Sequence, residues 1–269
     1  MNILLIGDIM GPSGRKVVNF HIPKLIKEKK LDFVIANGEN AADPGVGITK
    51  KIAQKFFDSG IDVITTGNHV WDQKETIEYI VNEKRLLRPA NLFEGSPGQG
   101  FGIFNSKNMK KVAVINLMGN VYMKKSNDVF KEAKKFIQSV RIKKDADFIV
   151  VDMHAEITSE KMAMGYLFDG KATMVVGTHT HVPTLDYRIL ENGTAYQTDI
   201  GMCGDYNSVI GMNKENSLKK FLKDPSATRH FPALGEATLS GVIVNADDET
   251  GLAKNIFPII IGGSLKETY

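Results

Sequence analysis

The sequence predicts an α/β fold, and three features of it carry that prediction. Short, strongly apolar, strand-like runs alternate with helix-period stretches through the first two-thirds of the chain. Five of these runs, at 3–6, 33–36, 63–66, 148–151 and 174–176, are followed at once by carboxylate, amide or imidazole side chains. From Tyr187 onward the pattern changes to β-runs at short spacing, read as antiparallel strands. In an open α/β sheet, ligands bind outside the carboxyl ends of the strands. The five strand ends therefore direct Asp8, Glu39, Asn40, Asn68, His69, His154, His179 and His181 into one crevice. That is the layout of a metal site, with more donors than one ion can use.

Each element has its own justification. The run at 3–6 leads into a Gly-Pro-Ser-Gly turn and then a helix from 15 to about 29, with Val17, Val18, Ile22, Leu25 and Ile26 at roughly helical period. After 33–36 comes a loop, 37–47, rich in Gly, Asn and Asp. Thr49 is the expected N-cap of a helix carrying Ile52, Ala53, Phe56 and Phe57 on one face, ended by Gly60. A strand over 61–66 precedes Gly67-Asn68-His69 and a helix over 73–84. A turn-rich stretch, 88–102, leads to a strand pair at 102–105 and 112–117. The segment 127–143 is the clearest helix: Val129, Phe130, Ala133, Phe136, Ile137 and Val140 form one stripe, with lysines opposite. Further strands are expected at 187–190, 194–198, 239–245 and 256–261. Between them, 203–231 is polar and irregular around a short helix near 218–223. A loop that long in a compact domain is more often functional than idle, so Asn207, Ser208 and the backbone near Gly211 are expected to border a substrate cleft. There is no linker, internal repeat or low-complexity tract, and residues 1–269 read as one domain.

Composition narrows the class. A chain of 269 residues with 42% hydrophobic and 24% charged residues is ordinarily globular. A net charge of +3 permits attraction to phosphate-bearing ligands but is no polybasic signal. The single cysteine, Cys203, excludes an intrachain disulfide and suits a reducing compartment. The chain enters a strand at once, with no basic leader, and no window approaches the ~18 apolar residues of a membrane span. A cytoplasmic protein without a membrane segment is expected.

The donor types decide the chemistry. In Gly177-Thr178-His179-Thr180-His181, the glycine lets backbone and imidazoles approach an ion, and alternate residues of an extended strand share a face. The amide oxygen of Asn68 suits a hard cation. His69, beside it, need not be a ligand and can protonate a leaving oxygen. Asp8 and Glu39 supply carboxylates, which in one crevice call for neutralising cations. Each of these residues alone also fits a turn, a cap or a surface site; together they do not. Gly7, Gly11 and Gly14 fit neither phosphate-loop motif, and Val182-Pro183 after His181 breaks the run expected of a metallo-β-lactamase. His21 reads as structural, and His230 lies outside the pattern. Two cations ~3.5–4 Å apart can clamp an in-line displacement at phosphorus. Mixed carboxylate, amide and imidazole donors suit manganese or iron, with zinc as a further option.

At this point the residues match a family. GD at 7–8, GEN at 38–40, GNH at 67–69, a lone His154 and GTHTHVPT at 177–184 resemble the calcineurin-like metallophosphoesterases. Gly7 to Gly11, Asn37 to Asn40, Thr66 to Asp72 and Ser208 to Met212 more closely resemble the bacterial YmdB-like phosphodiesterases. Met10 stands where the superfamily usually has a histidine, and Glu39 where it usually has an aspartate. Both departures are shared by the YmdB-like branch, with Asn40 the natural substitute ligand. The resemblance implies a four-layer αββα sandwich and a two-metal phosphodiesterase hydrolysing cyclic nucleotides, 2′,3′-cyclic and also 3′,5′-cyclic. It implies attack by metal hydroxide, with His69 as general acid. By position, Asp8, Glu39, Asn40 and His181 would hold one ion, and Glu39 (bridging), Asn68, His154 and His179 the other. Alternatives are a phosphomonoesterase on the same core, or a regulatory, RNA-interacting protein whose metals organise a surface. RNA is thus a second candidate partner beside a small phosphodiester, and a homo-oligomer is expected.

Overall fold

The structure is a computed structural model and describes residues 1–268. Its elements, in order, are β1 (Asn2–Ile6), β2 (Asp8–Ile9), α1 (Gly11–Glu28), β3 (Phe33–Asn37), α2 (Lys50–Asp58), β4 (Val63–Thr65), α3 (Lys74–Asn82), β5 (Phe101–Asn105), β6 (Lys111–Met118) and α4 (Val129–Ser139). There follow β7 (Phe148–His154), α5 (Thr158–Phe168), β8 (Met174–Thr178), β9 (Arg188–Ile189), β10 (Ala195–Gln197), β11 (Met202–Cys203), α6 (Lys214–Phe221), β12 (Leu239–Ala246) and β13 (Ala253–Ile261).

Two sheets face each other. The first runs β13-β12-β1-β3-β4 and the second β5-β6-β7-β8-β10-β9. Within them β1, β3 and β4 are parallel, as are β6, β7, β8 and β10. Successive side chains on a strand point to opposite faces. Ile3, Leu5, Phe33, Ile35 and Val63 therefore meet Val112, Val114, Phe148, Val150, Met174 and Val176 in a dry layer between the sheets. Their neighbours Leu4, Ile6, Val34 and Ile64 face outward onto Val18, Ile22 and Leu25 of α1 and Phe56 of α2. On the second sheet Ile115, Ile149, Val151 and Val175 do the same with Ala133 and Phe136 of α4 and Met164 and Phe168 of α5. Three apolar layers between four layers of backbone make the expected αββα sandwich. The strands buried on both faces explain the continuous apolar runs in the sequence. Removing one such side chain, as in Leu5→Ala, carries a cavity cost of ~2–5 kcal/mol.

Some elements differ from the sequence reading. Helix α1 begins at Gly11, because the expected Gly-Pro-Ser-Gly turn forms its first turn, with Pro12 where a missing N–H costs nothing. Thr49 caps α2 through Oγ1, which accepts from Ile52 N at 3.3 Å. Asp128 caps α4 by accepting from Phe130 N and Lys131 N, which trims the expected helix to Val129–Ser139. Helix α5 has no counterpart in that reading. The expected antiparallel pairing holds for β9 with β10 and for β12 with β1 and β13, but β10 also joins β8 in parallel. Helix α6 starts four residues earlier than expected, where Asn213 supplies its cap. Among the described residues, no helix is long and apolar enough to cross a membrane.

Candidate metal centre

All the parallel strands named in the sequence reading end on the same side, and each delivers a polar group there. Gly7 leaves β1 so closely against Gly201 that a Cβ would collide with the Gly201 carbonyl. The chain then forms β2, which pairs with β11 and carries Asp8 into the interior, fully buried. Glu39 and Asn40 follow β3, Asn68 and His69 follow β4, and His154 closes β7. His179 and His181 lie just past β8.

The tightest group is Glu39, His154 and His179, whose donor atoms all lie within 4.8 Å of one another. His154 Nε2 is 3.1 Å from Glu39 Oε2, 3.2 Å from Asn68 Oδ1 and 3.1 Å from His179 Nδ1. The hydrogen-bond partners settle the tautomers. Thr178 Oγ1 donates to Asp152 Oδ1 at 2.7 Å, so at 2.9 Å it accepts from His154 Nδ1–H, and Nε2 is the ring nitrogen that faces Glu39 and Asn68. His179 presents Nε2 to Glu156 Oε2 at 3.0 Å, which leaves Nδ1 free. Two imidazole nitrogens, a carboxylate and an amide oxygen thus converge on one point. Gly67 makes that convergence possible, since a Cβ there would strike Glu39 Oε2 and His154 Nε2.

A second cluster adjoins the first. His181 Nδ1–H donates to the Ile210 carbonyl at 2.8 Å, so its Nε2 is the acceptor, 4.0 Å from Asp8 Oδ1. That oxygen of Asp8 is buried and has no hydrogen-bond partner, while Oδ2 accepts from His179 N at 3.0 Å. Asn40 is likewise half-engaged: Nδ2 donates to the Gly45 carbonyl at 2.9 Å, and the buried Oδ1 has no partner. Orphaned buried oxygens cost free energy unless something binds them. Metal-ligating histidines ordinarily donate their other ring N–H to a carbonyl or hydroxyl, as His154 and His181 do here. On both counts the chain's own atoms fit cations.

Electrostatics point the same way. Burial disfavours charge on His154, yet the Glu39, Asp8 and Asp152 carboxylates override it and lift the imidazole to about 9. Glu39 is pushed up by burial but held down to about 2, chiefly by His154. Burial drives Asp8 up to about 6, and burial with the neighbouring His154 drives His179 down to about 3. The centre draws positive charge to one point.

His69 stands apart from the donors. Its backbone N–H donates to Glu39 Oε2 at 3.3 Å, while its half-exposed ring places Nδ1 at 2.6 Å from Asp72 Oδ2. Lys124 Nζ donates to the Asn68 carbonyl at 2.7 Å and lies 3.5 Å from Asp72 Oδ1.

Two expectations need correcting. His179 and His181 do not reach the centre as alternate residues of an extended strand, because both have positive φ, 96° and 65°. Their rings converge through a tight turn past the end of β8. Gly177 does not open space for an ion either: a Cβ there would meet the Thr198 carbonyl, so the close approach is to the chain just past β10. Met10, where the superfamily carries a histidine, packs under the 203–231 loop against Gly204 and Gly211. That loop lies at the metal end, as the Ile210–His181 bond requires. Ser208 is occupied within it, its Oγ accepting from Gly211 N at 2.8 Å, and Asn207 accepts from Lys214.

Sequence reasoning missed the supporting groups. Asn37 donates to Asp152 Oδ2 at 3.0 Å, and Asp152, fully buried, holds Thr178 and through it His154. Asp199 accepts from Lys161 Nζ at 2.6 Å and from Thr180 Oγ1 at 2.8 Å, fixing the turn between the two histidines. The aspartate two residues before His154 was visible in the sequence, but nothing in its spacing announced its partners.

Comparison with known proteins gives a consistent picture. A family described as "YmdB-like protein" matches residues 4–259. The chain is 46% identical over 261 residues to a 2′,3′-cyclic-nucleotide 2′-phosphodiesterase of Bacillus subtilis (strain 168), covering 97% of each. It is 41% identical over 271 residues to a putative phosphatase/phosphodiesterase of Mycoplasma genitalium, covering 97% of this chain and 93% of the relative. A solved phosphatase from Mycoplasma pneumoniae superposes with a TM-score of 0.89 at 36% identity, covering 97% of this chain and 93% of that one. A hypothetical protein from Thermus thermophilus gives the same TM-score, 0.89, at 36% identity, over 98% of this chain and 100% of the other.

Proposed function

This chain belongs to the YmdB-like family, and from that membership we propose a dinuclear-metal phosphodiesterase that opens cyclic nucleotides, the 2′,3′-cyclic forms first and the 3′,5′-cyclic forms second. The observation that carries this reading is the convergence of ligand atoms: Glu39 Oε2, Asn68 Oδ1, His154 Nε2 and His179 Nδ1 lie in one group, the orphaned oxygen of Asp8 lies 4.0 Å from His181 Nε2, and the buried Oδ1 of Asn40, next in sequence to Glu39, has no partner. Asp8, Glu39, Asn40 and His181 would hold one cation, and Glu39, Asn68, His154 and His179 the other. Iron or manganese suits these donors, with zinc as the remaining option. When bound, the cations supply Lewis acidity toward the phosphate oxygens and lower the pKa of water.

The chain's own residues do the rest. Asp152 and Thr178 occupy His154 Nδ1–H, so that Nε2 is the nitrogen that would face a cation. Asp72 accepts from His69 Nδ1–H, which fixes the ring and makes Nε2 the nitrogen that gives a proton to the departing ribose oxygen. Lys124 ties Asp72 to the Asn68 backbone.

A phosphomonoesterase on the same residues is the second reading, favoured by the phosphatase named for the Mycoplasma pneumoniae structure. One assay separates them. The protein loaded with manganese or iron is given bis-para-nitrophenyl phosphate and para-nitrophenyl phosphate, then 2′,3′- and 3′,5′-cyclic adenosine monophosphate. Preference for the diesters supports the proposal, and preference for the monoester overturns it.

A further inference from the structure

A cavity of about 510 Å³ opens beside His69. That is within the ~300–1,000 Å³ of ordinary small-molecule sites. Ile210, whose carbonyl holds His181, forms part of its wall, so the cavity adjoins both the proton donor and a metal ligand. Met212 and Phe221 add apolar surface, and Phe221, at the end of α6, is 80% exposed. His230, which the metal site leaves unused, stands at the same cavity. Ser217 also lines it, is only 1% exposed, and has an Oγ with no hydrogen-bond partner. An apolar cavity with one unsatisfied buried hydroxyl and exposed rings is suited to a flat, amphipathic ligand.

We propose that this cavity is the nucleobase subsite of the phosphodiesterase, with Phe221 and His230 as stacking surfaces and Ser217 as a hydrogen-bonding partner for the base edge. It rests on the cyclic-nucleotide reading above and extends it to what the enzyme recognises beyond the phosphate. The substrate's covalent structure supports the placement. In a 2′,3′-cyclic nucleotide the base is carried on C1′, bonded directly to the C2′ whose oxygen is esterified. A phosphate among the metal donors therefore leaves the base within reach of a cavity that begins at His69. Stacking on an aromatic ring tolerates every base, because each has a π-face, and a hydroxyl both donates and accepts.

The test compares ligands that differ only in the base. Binding of adenosine 3′-monophosphate and of ribose 3-phosphate to the metal-loaded protein is measured by calorimetry for the unaltered chain, Phe221→Ala, Phe221→Trp and Ser217→Ala. Loss of a stacking ring costs on the order of 10- to 100-fold in binding. Phe221→Ala should thus weaken the nucleotide by about 10-fold or more relative to the sugar phosphate. Phe221→Trp should restore the difference, and Ser217→Ala should weaken the nucleotide while leaving the sugar phosphate unchanged. Equal weakening of both ligands, or of neither, overturns the subsite. So does a Phe221→Ala change in oligomeric state on size exclusion with both affinities intact, which would show that a second copy covers this surface. Turnover of 2′,3′-cyclic adenosine monophosphate is measured against the 1-methoxy ribose 2′,3′-cyclic phosphate in parallel. If neither diester is hydrolysed, the phosphodiesterase reading fails, while the binding comparison still decides the subsite.

Discussion

His69 Nδ1 lies 2.6 Å from Asp72 Oδ2, and His69 directly follows Asn68, whose Oδ1 joins the group around His154. An imidazole held at Nδ1 by a carboxylate can deliver a proton only from Nε2. Its value depends on how badly the leaving oxygen needs that proton. A ribose alkoxide needs it, and a para-nitrophenolate does not. His69→Ala should cost ~10²–10⁴-fold in kcat on a cyclic nucleotide, and far less on bis-para-nitrophenyl phosphate. Asp72→Asn should give a smaller loss with the same leaving-group dependence. Metal content should be unchanged in both variants. Equal losses on the two substrates would remove the acid role from His69.

Glu39 is the donor asked to serve both cations, whereas Asn40 serves one. Metal analysis of protein purified without chelator should give about two ions per chain. Glu39→Gln should lower that number more than Asn40→Ala, because losing the shared carboxylate weakens both positions. A single tightly held ion in the unaltered protein would contradict the two-metal assignment.

Much of the site was legible because its parts are local. Each donor follows a strand within a few residues, and an apolar run followed by Asp, Asn or His is a pattern that survives without knowledge of the fold. The layers were legible for the same reason: strands buried on both faces lose their alternation and read as continuous apolar runs. What stayed hidden depends on partners far apart in sequence. Helix α5 shows no apolar stripe, because Glu160 and Lys161 are buried among Met164 and Phe168. The need for Lys161 there comes from Asp199, 38 residues later. Thr178 and Asp152 look like ordinary strand residues until β7 and β8 pair, with Asp152 opposite Val176 and His154 opposite Thr178. The cavity at His69 combines residues from 46 to 230, and no spacing rule connects them.

Lys161 and Asp199 form an ion pair at 2.6 Å with both side chains 1% exposed. Such a pair is weak evidence of stability as a unit, but removing one partner strands the other charge in the core. Asp199→Ala and Lys161→Met should each destabilise the fold by ~3–5 kcal/mol, read as a shift in the urea midpoint. They should differ in function. Asp199 also accepts from Thr180 N and Oγ1 and from Gly201 N, so its loss loosens the turn that carries His179 and His181. At a temperature where both variants are folded, Asp199→Ala should lose more metal affinity than Lys161→Met. The opposite order would separate this ion pair from the metal centre.

Metal removal should destabilise the protein by an amount that grows with pH. Ligand binding to the native state stabilises it by mass action, ~2.7 kcal/mol at 100 times the dissociation constant. For a chain of this size that is roughly 5–10 °C in Tm. Without cations, His154 supplies the positive charge among Glu39, Asp8 and Asp152, which is why its pKa is lifted to about 9 from the ordinary imidazole range. A group whose pKa is raised on folding contributes stability that is complete below its unfolded value and vanishes as pH rises through its folded value. The metal-free protein should therefore lose stability between about pH 6.5 and 9 as His154 gives up its proton. The metal-bound protein already requires His154 neutral at Nε2, so cation binding becomes easier over the same interval. Differential scanning measurements with and without chelator should show the gap in Tm widening from pH 6.5 to 9, while His154→Gln narrows that gap and flattens its slope. A gap that stays constant or shrinks as pH rises would show that His154 does not exchange a proton for a cation.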